Sequence, residues 1–221
     1  MLGRCTSPEA SGRPTLLVPI GSCEQHGPHL PLATDTLVAD TIAHTAAGRT
    51  TGSMVTPPLA ITASGEHAGF AGTLSIGTDA MAHVIVELVR SADWADGVVL
   101  VNGHGGNRDA VERAVTTLSQ DGRAVLAWWP IVRGGDAHAG RTETSMMLAI
   151  DPGAVRVDLA ERGATDPLET IERRLRHGGM RSVSPNGVLG DPAGATVEEG
   201  RRILDELVAD LVAAVETWRR R

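Results

Sequence analysis

Side chains that bind metals or transfer protons are concentrated in three short, glycine-rich stretches: GSCEQHGPHLPLATD, VNGHGGN and GGDAHAGRTET. Their acids and histidines are, in chain order, Glu24, His26, His29, Asp35, His104, Asp136, His138 and Glu143. Carboxylate and imidazole groups hold Zn, Mn or Fe while leaving coordination positions open to water. Glycine lets loop backbone fold tightly around a small site. If the three stretches meet in the fold, the chain is expected to be a metallohydrolase.

Each stretch follows an apolar run that predicts a β-strand. Strands are predicted at 15–20, 53–59, 97–103 and 123–131, and helices at 35–48, 78–94, 107–119, 142–150, 168–177 and 196–218. This alternation predicts an α/β fold, with a mostly parallel sheet covered by helices on both faces. Ligands bind beyond the carboxyl ends of the strands in such folds. The three stretches are therefore expected to converge at one edge of the sheet.

The first stretch supplies the clearest ligand candidates. Glu24 and His26 are two residues apart in an extended segment, so alternation puts both side chains on one side. Asp35 begins a predicted helix, where an acid is commonly only a cap, but its proximity to Glu24 and His26 favours a ligand. His29 is either a group that orients a ligand or an ordinary loop histidine.

His104 lies at the carboxyl end of a strand between glycines, and this position favours a metal ligand over a core histidine. The same turn is similar to a phosphate-binding loop. However, GHGGN matches neither GxGxxG nor GxxxxGK, and all 20 basic residues are arginine. A nucleotide-dependent enzyme is therefore the weaker alternative, and a metal-binding module without catalysis is another.

The third stretch predicts two different roles. Glu143 is expected in the first turn of a helix as a metal ligand. His138 is expected in the preceding loop as the catalytic proton carrier near neutral pH. Asp136 either orients His138 or is a solvated loop acid.

Further candidates for substrate binding lie outside the three glycine-rich stretches. The loop at 60–77 is long enough to be functional, and its Glu66 and His67 either line the pocket or are solvated. One of Trp128 and Trp129 is expected to face the core and the other to form a pocket wall. Trp128 is a candidate for substrate contact.

Composition limits the class of protein. We expect a single domain over 1–221, with a loose N-terminal segment at 1–14. The formal net charge of -7 argues against nucleic-acid binding. The N-terminus lacks the apolar segment of a signal peptide, and no apolar run approaches the roughly 20 residues that span a bilayer. A cytoplasmic protein without a membrane partner is therefore expected.

Five motifs resemble the creatininase (creatinine amidohydrolase) family in order and spacing, over about residues 17–200. They are PIGSCEQHGPHLPLATDT, HAGFAGTLS, VNGHGGN, DAHAGRTETSMML and SPNGVLGDPAGAT. The resemblance implies a three-layer αβα sandwich, two divalent metal ions per subunit (Zn, Fe or Mn) and a homo-oligomer, a hexamer or a related form. It matches Glu24, His26, Asp35 and His104 to metal ligands, with Asp35 bridging both ions.

One position departs from the family pattern. Creatininase itself has a glutamate two residues after the histidine that matches His104, where this chain has Gly106. Glu143 is our candidate for the missing fifth ligand, and creatinine becomes doubtful as the substrate. The DAHAGRTETS and SPNGVLGDPAGA motifs most resemble the peptidase branch that releases a modified Val-Tyr-derived dipeptide from the mycofactocin precursor peptide. Hydrolysis of a cyclic amide or formamide of a small metabolite is the alternative.

Overall fold

Four parallel strands form the centre of the fold, and the computed structural model describes residues 1–220. The strands are β1 (Thr15–Ile20), β2 (Ser53–Val55), β3 (Gly97–Asn102) and β4 (Val125–Trp128), in the order β2-β1-β3-β4. Every residue of β1 and β3 is buried. Continuous apolar strands of this kind are typical of parallel sheets that are covered on both faces.

Helices cover both faces of this sheet. They are α1 (Thr34–Arg49), α2 (Thr78–Arg90), α3 (Arg108–Gln120), α4 (Arg141–Ile150), α5 (Leu168–Val183) and α6 (Val197–Arg219). Successive strand residues face opposite sides. Leu17 and Val99 therefore pack with α1, α4 and α6, while Leu16 and Val98 pack with α2 and α3. The predicted three-layer αβα sandwich is confirmed.

The N-termini of α6 and α1 are capped differently. The side chain of Thr196 accepts a hydrogen bond from the Glu199 N–H at 3.1 Å, as the TVEE pattern predicts for the start of α6. Thr34, a residue type that often caps helices, does not cap α1. Ala33 occupies the cap position, and the Thr34 hydroxyl instead donates to the Pro31 carbonyl at 2.7 Å.

Element ends differ from the predictions where glycine and proline intervene. β2 ends at Val55, two residues before the Pro57-Pro58 pair. α5 continues beyond His177 to Val183, across a kink at Gly179 with φ 68° and ψ 176°. Glycine enters this left-handed region without the steric cost that other residues incur. Among residues 1–220, no helix combines the length and apolarity needed to span a bilayer.

The N-terminal segment contains one short 3₁₀ turn, Leu2–Arg4, and Leu2 packs against the α2–α3 layer. Three loops begin at the carboxyl ends of β1, β3 and β4. Residues 21–33 follow β1, residues 103–107 follow β3, and residues 129–140 follow β4. Because all strands run in the same direction, these loops lie at one edge of the sheet.

Candidate metal centre

The loop after β1 carries Glu24 and His26, whose side chains are fully buried. The Nδ1 of His26 is 3.1 Å from the backbone carbonyl oxygen of Glu24. A carbonyl oxygen only accepts, so Nδ1 carries a hydrogen, and Nε2 is the nitrogen on the side of the other predicted ligands. Nε2 faces Asp35, whose Oδ1 is 3.1 Å away.

Asp35 connects two histidines from different loops. Its Oδ1 contacts His26 Nε2, and its Oδ2 lies 3.0 Å from His104 Nδ1. The hydroxyl of Ser22 also donates to Oδ2 at 2.9 Å. On its other side, His104 Nε2 lies 3.0 Å from the Ala63 carbonyl oxygen, which accepts its hydrogen. Nδ1 of His104 is thereby left to face the carboxylate.

Four groups of acids and histidines have ligand atoms within 4.8 Å of one another. Two groups consist of predicted ligands and share Asp35: Glu24, Asp35 and His104 form one, and His26, Asp35 and Glu143 form the other. Glu143 is the more distant member, with Oε2 3.9 Å from His26 Nε2. The structure thus brings all five predicted ligands together, and Asp35 lies between the two groups.

The remaining two groups extend the cluster beyond the predicted ligands: Glu24, Glu66 and His67 form one, and Glu24, His26 and His138 form the other. Glu66 Oε1 is 3.3 Å from His104 Nε2. A Cβ atom at Gly106 would overlap both of these atoms. The Glu66 carboxylate therefore occupies the space where a side chain at position 106 would begin.

Comparison with known proteins identifies the family. The family model Creatininase, described as creatinine amidohydrolase, matches residues 4–215. The chain belongs to the creatininase family. This membership confirms the resemblance of the five motifs and the predicted enzyme class, a hydrolase of amide bonds.

Several relatives within the creatininase family match almost the whole chain. The mycofactocin precursor peptide peptidases of Mycobacterium ulcerans (strain Agy99) and Mycolicibacterium smegmatis (strain ATCC 700084 / mc(2)155) are 48% and 47% identical to it. Each alignment covers 98% of this chain and 91% of the relative. The creatinine amidohydrolase of Pseudomonas putida is 27% identical, over 93% of this chain and 90% of its own. A solved W154A mutant creatininase has 25% identity and a TM-score of 0.80, covering 98% of both chains.

Burial and ion pairing have opposite effects on the pKa values of the predicted ligands in this creatininase-family site. Burial disfavours the charged form of His26, but the Asp35 carboxylate outweighs it and raises the pKa of His26 to about 10. Likewise, Glu24 and Asp35 overcome the burial of His104 and hold its pKa well above the usual value. Burial raises the pKa of Glu143 to about 7, against the opposing pull of His26.

The pKa values of the histidines that are not predicted ligands shift the other way. Burial, reinforced by His26 and His67, holds the pKa of His138 well below its usual value. Burial also lowers the pKa of His67, although Glu24 partly opposes it. At neutral pH both rings are therefore uncharged. His29 is buried too, with Nε2 2.9 Å from the Thr144 hydroxyl, so it contacts α4 rather than a predicted ligand.

Asp136 and Trp128 have surroundings that differ from the predictions. Asp136 accepts from the backbone N–H groups of Arg141 and Thr142 at the start of α4, so it caps that helix instead of orienting His138. Trp128 is the tryptophan that faces the core, and its indole N–H donates to Asp210 at 2.7 Å. It therefore forms no pocket wall.

A cavity of about 690 Å³ opens over the cluster. Glu24, Glu66, His67, His104 and His138 line one side of it. Its lining also includes Leu175 and Met180 of α5 and Leu189, together with Glu172 and Arg176 of α5. The cavity therefore exposes the acid–histidine cluster to a space large enough for a small-molecule or dipeptide-sized group.

Proposed function

We propose that this chain is a two-metal peptidase that releases the modified C-terminal Val-Tyr-derived dipeptide from the mycofactocin precursor peptide. The relatives that carry this peptidase name are 46–48% identical to the chain over 98% of its length. The observation that carries the two-metal part of the proposal is the position of Asp35 between two ligand groups. One carboxylate that offers an oxygen to each group can hold two nearby cations.

The donor atoms fit divalent cations. Both carboxylate oxygens of Glu24 are buried and lack a hydrogen-bond partner, although His104 Nε2 is 3.1 Å away and His67 Nε2 3.3 Å away. A buried charge without a partner is costly unless a cation compensates it. We infer that Glu24, Asp35 and His104 hold one ion and that His26, Asp35 and Glu143 hold the other. Oxygen and imidazole donors accept Zn, Fe or Mn.

The chain's own residues supply positioning and proton transfer. Ions bound there would lower the pKa of a water to about 7 and would polarise a carbonyl oxygen. His138 is uncharged near neutral pH and lies beside Glu24, with Nδ1 3.9 Å from Glu24 Oε1. We propose from this position that His138 takes up a proton and delivers it to the leaving amide nitrogen. The burial of the cluster strengthens these electrostatic effects because it excludes bulk water.

The shape of the cavity supports a peptide end as the substrate. Its volume of about 690 Å³ lies in the range of sites that enclose small ligands. Leu175 and Met180 of α5 line it together with the charged Glu172 and Arg176. We propose that Leu175 and Met180 contact the apolar side chains next to the scissile amide.

We also propose a homo-oligomer, a hexamer or a related form, working in the cytoplasm. Large apolar side chains remain exposed on the single chain, including Ile131 at 79% and Val157 at 59%. Exposed apolar surface of this kind is typical of subunit contacts when it is contiguous. Light scattering at several protein concentrations tests the assembly.

The activity is tested with chemically defined peptides. Protein loaded with zinc, iron or manganese is incubated with the modified precursor peptide, and mass spectrometry follows release of the dipeptide-sized product. We expect cleavage only with metal, and His138→Ala should retain its ions while turnover is lost. Product formation by chelator-treated protein would contradict the two-metal scheme. Hydrolysis of creatinine or a formamide but not of the peptide would contradict the proposed substrate.

A further inference from the structure

Gln25 lies between two histidines of the cluster and contacts both. Its buried Nε2 is 2.9 Å from His67 Nδ1 and 3.1 Å from His138 Nε2. Two backbone contacts fix which way the amide faces: Oε1 accepts from the Gly27 N–H at 2.9 Å, and Nε2 donates to the Gly187 carbonyl at 3.0 Å. A backbone N–H only donates and a carbonyl only accepts, so turning the amide round would lose both bonds.

The same reasoning assigns the hydrogen on His138. Its Nε2 lies 2.9 Å from the backbone carbonyl oxygen of Gln25. Because that oxygen only accepts, Nε2 must carry the hydrogen, and Nδ1 keeps a free lone pair facing Glu24. In the opposite tautomer, a nitrogen lone pair would face the carbonyl oxygen in a buried site. Buried polar groups rarely remain in such an unpaired state.

The assignment of His138 determines that of His67. The two amide hydrogens of Gln25 are left with two acceptors, the Gly187 carbonyl and His67 Nδ1. His67 therefore accepts at Nδ1 and carries its own hydrogen on Nε2, which lies 3.3 Å from Glu24 Oε1. A nitrogen that carries a hydrogen cannot coordinate a metal ion. His67 Nδ1 is occupied by the Gln25 amide, so neither ring nitrogen is available as a ligand, and the group of Glu24, Glu66 and His67 does not hold a third ion.

We propose that Gln25 is a positioning residue that fixes the tautomers of His67 and His138. It leaves His138 Nδ1 free to accept a proton and keeps the hydrogen of His67 on Nε2, which lies 3.3 Å from Glu24 Oε1. The proton-transfer role of His138 rests on the proposed function, whereas the tautomers do not. Gly187 is part of the same arrangement. Its φ is +81°, and a Cβ atom there would overlap the Gln25 amide. The glycine of the SPNGV stretch thereby leaves room for the amide.

The test reads the tautomers directly, by two-bond ¹H–¹⁵N spectra of the histidine rings in zinc-loaded protein. Gln25→Glu keeps an acceptor for Gly27 but replaces the donating amide nitrogen with oxygen. His67 should then move its hydrogen to Nδ1, while His138 keeps its hydrogen on Nε2. We expect kcat to fall about 10–100-fold, as for other groups that orient metal ligands, with KM and zinc content unchanged. Gln120→Glu, the same change at the exposed end of α3, is the matched control and should behave as wild type.

The wild-type spectrum alone can overturn the proposal, even if the Gln25 variant fails to fold. A hydrogen on His138 Nδ1, or a zinc-bound nitrogen in either His67 or His138, contradicts it. So does a His67 tautomer that is the same in Gln25→Glu and in wild type. If both tautomers are as stated but the peptide is not cleaved, the proposed function fails and the role of Gln25 stands.

Discussion

The two halves of the acid–histidine cluster are held in different ways. Glu24, His26 and His104 lie in the segments that follow β1 and β3. The backbone carbonyl of Glu24 holds the His26 ring, and that of Ala63, in the segment after β2, holds the His104 ring. We call Glu24, His26 and His104 the strand-end half. His67, His138 and Glu143 come from a 3₁₀ turn, a loop and the first turn of α4, and we call them the loop half.

The loop half depends on contacts between distant segments. The backbone N–H and C=O of His138 pair with the C=O and N–H of Leu189 at 3.1 and 2.8 Å. The Gln25 amide connects His67 and His138 to the loop after β1. The strand-end half is therefore held by the segments that follow β1, β2 and β3, whereas the loop half forms only when later parts of the chain are packed. This difference predicts that substitutions in the two halves affect ion binding and turnover unequally.

Asp35→Asn tests the residue on which both ion groups rely, and we expect the largest effect of the set. The amide nitrogen offers no lone pair, so one ligand atom disappears from a shared position. Both ions should be lost and turnover abolished, as measured by metal analysis after dialysis and by peptide cleavage. Asp40→Asn on the more exposed part of α1 is the control. A variant that keeps both ions would show that Asp35 does not bridge them.

The strand-end half could be predicted from sequence because its signal is local. Glu24, His26 and His104 are ligand-type residues within a few positions of a strand end, and alternation alone places them. The role of Gln25 could not be predicted from sequence, because an amide side chain is not a usual ligand of Zn, Fe or Mn. Its partners His138 and Gly187 are 113 and 162 residues away. Sequence also could not decide which of Trp128 and Trp129 faces the core, since that depends on the strand's register.

Glu143→Gln tests the loop half without touching the strand-end half. It weakens the ion held by His26, Asp35 and Glu143, so the bound metal should fall from about two ions per subunit to about one. Glu66→Gln is the matched control, because Glu66 contacts His104 but lies outside both proposed ion groups. Retention of two ions in Glu143→Gln, with loss of one in Glu66→Gln, would assign the fifth ligand to Glu66 instead.

The pH dependence of metal binding examines the strand-end half further. In the ion-free protein the pKa of His26 is about 10, above its ordinary 6.5, so at pH 7 the ring is protonated beside Asp35. An ion must displace this proton. Its affinity should therefore rise with pH by about tenfold per unit for each proton released. Calorimetric titration of zinc in buffers of different ionisation enthalpy measures the protons released, and a value of zero at pH 7 would contradict the imidazolium–carboxylate pair.

The same pKa determines the stability of the ion-free protein. Because folding raises the pKa of His26, its stabilising contribution is complete below pH 6.5 and is lost as the pH rises through about 10. Urea unfolding of chelator-treated protein should show this decline for wild type. Asp35→Asn removes the partner that raises the pKa of His26, so it should flatten the decline.

Thr196→Ala should give the smallest effect and separates the stability of the loop half from its chemistry. Thr196 caps α6, and Glu199 in the first turn of that helix contacts both Arg141 and Ser145 of α4, the helix that carries Glu143. Loss of the cap should lower the free energy of unfolding by about 1 kcal/mol. Thr116→Ala on the exposed face of α3 is the control, expected within about 0.5 kcal/mol of wild type. If the strand-end half forms independently of α6, zinc bound by Glu24, Asp35 and His104 should be unaffected in Thr196→Ala. Loss of that ion would show that the two halves form together.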